Sequence, residues 1–188
     1  MGVSPGRQVA VAIVLIAAIA AVLAAIVYVA ELLSGGLEEA AQPREAGEMP
    51  NGVYVWNGTS FEPLNVSGSV FVPQGDGVYV LYFHNNRCPV CRRFEPVLVE
   101  ALRSEGVGEG RLYMIVSDWF WEKYTDPVAA ETFKFFNISK SPTVLLVEMR
   151  GGKVVRAEDL AERLAASGKS VTLELLAQEA ARAASAGA

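Results

Sequence analysis

The sequence predicts an α/β domain carried on a single N-terminal membrane-spanning helix. Three observations lead there. Val9 to Ala30 contains no charged residue. Val78 to Val116 reads as strand, helix and strand. Thr143 to Arg156 reads as two more strands, folded back on each other at Gly151-Gly152. A chain of 188 residues, 52% hydrophobic and with a mean hydropathy of +0.28, suits one soluble domain plus an unusually apolar segment.

At roughly 1.5 Å per residue, a helix over Val9–Ala30 is long enough to cross a hydrocarbon core of about 30 Å. Tyr28 is its only polar side chain, with Arg7 before it and Glu31 after it. A cleavable signal peptide is the competing reading. The run exceeds the roughly 7 to 15 residues of a usual signal core, and Tyr28 with Ala30 makes a poor cleavage site, whereas Ser34 and Gly36 make a better one. No cysteine lies near the segment to take a lipid. Arg7 and the amino terminus precede the helix, while Glu31, Glu38 and Glu39 follow it with only Arg44 nearby. That asymmetry places the N-terminus inside and the remainder outside. Ala17, Ala21 and Ala25 form either a packing stripe for another membrane helix or an ordinary lipid-facing one. Residues 1–33 are therefore the expected anchor. Residues 34–51, which lack apolar periodicity, are the expected tether, and 52–188 the domain. A net charge of -5 argues against nucleic acid as a partner, because phosphate binding needs a clustered basic surface.

Within the domain, Val53 to Trp56 and Thr59 to Phe61 read as a hairpin around an Asn57-Gly58 turn. Val78 to Phe83 is β-branched or aromatic almost throughout, as expected of a strand buried on both faces. Phe94, Val97, Leu98, Ala101 and Leu102 recur at helical spacing, and Leu112 to Val116 is the next strand, parallel to the first. Asp126-Pro127 signals a helix running to about Phe136. Thr143 to Met149 and Lys153 to Arg156 form the second hairpin. Leu160, Ala161 and Leu164 carry a helix that Gly168 ends, and Leu173, Leu176, Ala177 and Ala180 carry a last one.

The chain has two cysteines, spaced as Cys88-Pro89-Val90-Cys91 between a strand and a helix. At a helix start the first sulfur meets unpaired backbone N–H groups, whose partial positive charge favours a thiolate. Cys91 falls in the first turn, within reach of a mixed disulfide on Cys88. A redox pair is the leading reading. Zinc usually needs four protein ligands, or three plus water, and two Cys with one His do not supply them within one chain. A zinc site shared between two chains and a purely structural disulfide stay as alternatives. Such a bridge closes too short a loop to remove much entropy from the unfolded chain.

From about Val78 to Arg156 the sequence resembles the thioredoxin family. Pro96 stands where thioredoxins have a proline in the active-site helix. Ile138-Ser139-Lys140-Ser141-Pro142-Thr143, followed by Val144 to Val147, resembles the family's cis-proline loop and next strand. The resemblance implies that Ser141 and Pro142 face the cysteines and help to hold a substrate peptide. The departures are specific. Arg87 replaces the Trp before the first Cys, Pro89-Val90 replaces Gly-Pro, and Tyr82 stands where thioredoxins have a buried acid. Proton handling for Cys91 must therefore differ, through water or His84.

His84, the only histidine, stands four residues before Cys88. It either packs and hydrogen-bonds there or tunes the Cys88 thiolate. Arg87, Arg92 and Arg93 either stabilise that thiolate or are simply solvated. Asp118-Trp119-Phe120-Trp121 and Tyr124 follow the second strand, whose C-terminal end shares a sheet edge with Cys88. Trp119 and Trp121 are candidate contacts for apolar segments of an unfolded substrate, with burial in the core as the alternative. Of three Asn-x-Ser/Thr sequons, Asn57 and Asn65 look accessible, and Asn137 lies near the expected proline loop.

The expectation is an enzyme of the thiol-disulfide oxidoreductase class without a cofactor. It would act on protein thiols and disulfides at the outer face of the cytoplasmic membrane, where disulfides persist. The missing acid, the Pro after the first Cys and the flanking Arg residues favour an oxidant. Its electrons would pass to a membrane quinone-linked oxidase. The alternatives are a reductant resembling the membrane-anchored thioredoxins of cytochrome maturation, served by a membrane reductase, and a non-catalytic module binding metal or protein.

Overall fold

The structure, a computed structural model, describes residues 49–118 and 126–187. The expected anchor at 1–33, most of the tether at 34–51, and Trp119, Trp121 and Tyr124 lie outside the described residues. Among the described residues no helix is long and apolar enough to cross a membrane. The last tether residues are docked on the domain: Met49 packs against the core, and the Pro50 carbonyl accepts a 2.6 Å hydrogen bond from Tyr54 Oη.

Six strands form one mixed sheet: β1 Gly52–Trp56, β2 Phe61–Leu64, β3 Gly77–His84, β4 Leu112–Val116, β5 Thr143–Arg150 and β6 Lys153–Asp159. The helices are α1 Pro89–Ser104, α2 Pro127–Phe135, α3 Leu160–Ala166 and α4 Leu173–Ala186. Strand order is β2-β1-β4-β3-β5-β6. β3 pairs parallel with β4 and antiparallel with β5, so the strand that leads to the cysteines is central. From Tyr79 onward β3 is buried.

Alternation along the strands divides the core into two layers. Val80 and Tyr82 of β3 join Tyr54, Trp56, Leu112 and Met114 on the face covered by α1, α3 and α4. Tyr79, Leu81 and Phe83 join Val53, Ile115, Leu145 and Val147 on the face covered by α2. Asp126, Asp159 and Thr172 cap α2, α3 and α4 with side-chain oxygens, which satisfies amides that a helix start leaves unpaired.

The first hairpin differs from the expected two-residue turn. Asn57 Oδ1 accepts from the amides of Thr59 and Ser60 at 2.9 and 2.8 Å, and the Asn57 amide donates to the Ser60 carbonyl. This side chain builds a four-residue loop, so Thr59 and Ser60 are loop and β2 begins at Phe61. The Asn57 amide group also donates to Glu62 at 2.6 Å, whereas Asn65 and Asn137 are both exposed. The borders of the sheet are irregular. β2 holds Pro63 opposite Tyr54, and β6 carries a register shift at Glu148/Met149 beside exposed Lys153, Val155 and Arg156.

Candidate active site

At the C-terminal end of β3 the chain leaves the sheet through Asn85, Asn86 and Arg87. Asn85 and Asn86 are buried, an unusual state for amides that requires partners. Asn85 Oδ1 accepts from the Arg87 amide at 2.8 Å, and its carbonyl accepts from the Cys88 amide at 3.0 Å. The Asn86 amide donates to Asp118 Oδ1 at 3.3 Å, and its side chain donates to the Met49 carbonyl at 2.8 Å. The turn is thus held from within, from the end of β4 and from the segment before β1. Sequence reasoning passed over both asparagines, since Asn-Asn-Arg before a CxxC reads as an ordinary turn.

Cys88 is the N-cap of α1 and Pro89 opens its first turn. Cys88 Sγ accepts from the Cys91 amide at 3.4 Å, and its thiol donates to the Ser141 carbonyl at 3.3 Å. The Ser141–Pro142 peptide bond is cis and precedes β5, which pairs with β3. Ser141 and Pro142 therefore stand beside the half-exposed Cys88. Both cysteines are free thiols, and Cys91 is fully buried. Arg87, Arg92 and Arg93 are exposed around the turn. Pro96 lies inside α1, where it has no N–H to give the Arg92 carbonyl.

The two thiols differ in acidity. Burial alone would raise the Cys88 pKa, but hydrogen bonds from the backbone and side chain of Cys91, from Ser141 and from the Val90 amide outweigh it and hold it below the ordinary value. Burial pushes Cys91 up to about 12, and the neighbouring Cys88 sulfur adds to the rise. Cys88 is the thiolate former of the pair.

Beneath α1, Tyr82 Oη lies 2.9 Å from His84 Nδ1 and donates to the Cys91 carbonyl at 3.4 Å. Burial lowers the His84 pKa to about 4, against the smaller opposing effects of Asn86 and Asp118. The ring is therefore neutral at pH 7 and brings no positive charge to Cys88. Glu95, which the sequence did not single out, places Oε2 3.8 Å from His84 Nδ1. Burial holds its carboxyl above the usual range.

The depressed His84 pKa sets a stability window. Between its unfolded value near 6.5 and about 4, the unfolded chain binds the proton that the folded chain refuses. Stability from this source is therefore complete above about pH 6.5 and falls as pH drops toward 4, by up to about 3 kcal/mol. Urea unfolding across that range should show a steeper loss in the wild type than in His84→Gln. Glu95 and the other carboxyls titrate in both proteins, so parallel curves would refute the assignment.

Among the described residues no three His, Cys, Asp or Glu side chains gather into a metal site. Residues 77–144, which span β3, α1, β4 and α2 and reach the cis-proline loop, match the family described as thioredoxin. No curated protein gives a significant match. Among solved structures, a thioredoxin from Aeropyrum pernix is 20% identical, covering 71% of this chain and 94% of its own, with a TM-score of 0.42. A structure described as a malarial protein is 20% identical over 44% of this chain and 79% of its own, with a TM-score of 0.28. The family match encloses the cysteine pair, and the mixed sheet around it with helices on both faces is an α/β fold of the thioredoxin-like kind.

Proposed function

We propose that the chain is a thiol-disulfide oxidoreductase that uses Cys88 and Cys91 to oxidise protein thiols outside the cytoplasmic membrane. The carrying observation is the asymmetry of the pair: a half-exposed sulfur of lowered pKa at a helix N-cap, and a buried one at about 12. The exposed sulfur meets substrate and the buried one closes or opens the bridge. In oxidation, a substrate thiolate attacks Cys88 Sγ of the Cys88–Cys91 disulfide and Cys91 leaves with the bonding pair and a proton. A second substrate thiolate then attacks its partner sulfur in the mixed disulfide, and Cys88 departs. A low-pKa thiol leaves faster, and a stabilised thiolate favours the reduced enzyme, which makes the couple oxidising.

The reduction potential tests the direction. Equilibration with glutathione should place the couple nearer the roughly -120 mV of DsbA than the roughly -270 mV of thioredoxin. A value at or below the latter would favour the reductant role, and absence of exchange with any disulfide would overturn the chemistry.

Location follows from Arg7 before the apolar run and the acidic residues after it. Protease added to intact cells should digest the domain, and protection until lysis would reverse the orientation. Outside the membrane, the pair would be reset by a quinone-linked oxidase. Ser141 and Pro142 would border the substrate peptide at Cys88, with Trp119 and Trp121 offering apolar contact and Arg87 the flanking charge.

A further inference from the structure

Cys91 has no contact with solvent, yet it must lose a proton to attack a mixed disulfide on Cys88 and gain one when it is displaced. Three side chains lead from it toward water. Tyr82 Oη lies against Cys91, 3.4 Å from its carbonyl oxygen. Two-residue periodicity puts His84 on the same face of β3, with Nδ1 2.9 Å from that hydroxyl. Glu95 follows Cys91 by four residues, one turn along α1, and sets its carboxylate 3.8 Å from the same nitrogen. The Glu95 side chain is 31% exposed where that of His84 is 2% exposed.

We propose that Tyr82, His84 and Glu95 form the proton path of Cys91, with Tyr82 at the thiol and Glu95 at the solvent end. The inference rests on the oxidoreductase reading. Tyr82 is the group in contact with the reacting residue, and His84 and Glu95 act through it. Burial, with the charges of Cys91, Glu95 and Cys88, keeps the Tyr82 phenol protonated, so it hands a proton on without storing one. His84 is neutral, and its Nδ1 takes the phenolic proton when the hydroxyl turns to it from the Cys91 carbonyl. Asp118 beyond β4 favours its cation, and Arg92 on α1 opposes it. The raised Glu95 carboxyl sits closer to neutrality than an exposed one, as suits a group that takes and returns protons. Contacts of this kind are commonly long at rest and tighten during reaction.

In the mixed disulfide the Cys91 proton passes to Tyr82 Oη as the phenolic proton passes to His84 Nδ1, and then to Glu95. The Cys91 thiolate gives its electron pair to Cys88 Sγ. The Cys88–Cys91 bond forms and the bond from Cys88 to the substrate sulfur breaks. The substrate sulfur leaves with the bonding pair and takes a proton from water, while Glu95 returns its own to water. The cysteine pair is oxidised by two electrons and the substrate disulfide is reduced. Displacement of Cys91 by a substrate thiolate runs the same path backward.

The test uses the full chain, reduced and in detergent, mixed with one equivalent of the chromogenic disulfide dithiobis(nitrobenzoate). Attack by Cys88 releases a first burst of colour, and displacement by Cys91 releases a second. Glu95→Gln and Tyr82→Phe should slow the second burst at neutral pH by about 100-fold, at the low end of general-base effects. The first burst should hold in both variants and the urea midpoint in Glu95→Gln, whereas Tyr82→Phe lowers the midpoint by leaving buried acceptors unpaired. Glu95→Asp should recover much of the rate, and alkaline pH should close the gap as hydroxide replaces the path. An unchanged second burst in both variants would overturn the proposal and leave the oxidoreductase reading intact. Equal slowing of both bursts with a lowered midpoint would make the residues structural and also overturn it. A wild type without a second burst would remove both readings.

Discussion

Cys91→Ser should turn the protein into a trap. A substrate disulfide captured by Cys88 then has no resolving thiol, and the mixed disulfide persists until an outside thiol attacks it. Multiple turnover should fall on the order of a thousandfold or more, the scale at which groups that act as a unit fail when one is removed. Cys88→Ser should lose as much turnover and trap nothing, because the remaining sulfur is buried and its pKa stands at about 12. Non-reducing gels of the two variants after incubation with a disulfide-bonded protein read this directly. Equal trapping would mean that Cys91 reaches substrates and would reverse the assignment of the two sulfurs.

Phe94→Ala should be the most damaging change on the active-site helix outside the cysteines. Phe94 is fully buried and meets Tyr82 edge-on, with ring centroids 5.1 Å apart at 76°. Truncating a buried Phe removes its transfer free energy and leaves a cavity that the sheet beneath α1 only partly fills, a cost of about 3 to 5 kcal/mol. The lost aromatic pair accounts for roughly 0.5 to 1.5 kcal/mol of that. Phe94→Leu keeps most of the volume and should cost distinctly less. Denaturant unfolding of the full chain separates the three proteins. A loss below about 1 kcal/mol for the alanine variant would show that Phe94 does not anchor α1 to the sheet.

How far the sequence discloses this arrangement depends on how local each cause is. β3 and α1 were legible because alternation and helical spacing are written within one segment, and the cysteine pair because its spacing lies inside one turn. Glu95 was not. A glutamate four residues after Cys91 looks like any solvated helix position, and its neighbour His84 sits on another element. The buried Asn85 and Asn86 are hidden for the same reason, since Asp118 and Met49 satisfy Asn86 from 32 and 37 residues away. In the first hairpin the cause was local but misweighted. Asn57 was read for its backbone, and its side chain decides the loop.

On the proposed function, the borders of the sheet acquire a meaning. A catalyst of disulfide exchange works among unfolded chains that have backbone amides and carbonyls to pair, and an open strand edge would serve them as a template. Here β2 presents Pro63, which has no N–H to offer. At the other border the register shift between β5 and β6, the exposed Lys153 and the Arg156–Glu158 ion pair break a continuous ladder. On that reading, a client meets a sulfur to react with and no continuous edge on which to grow.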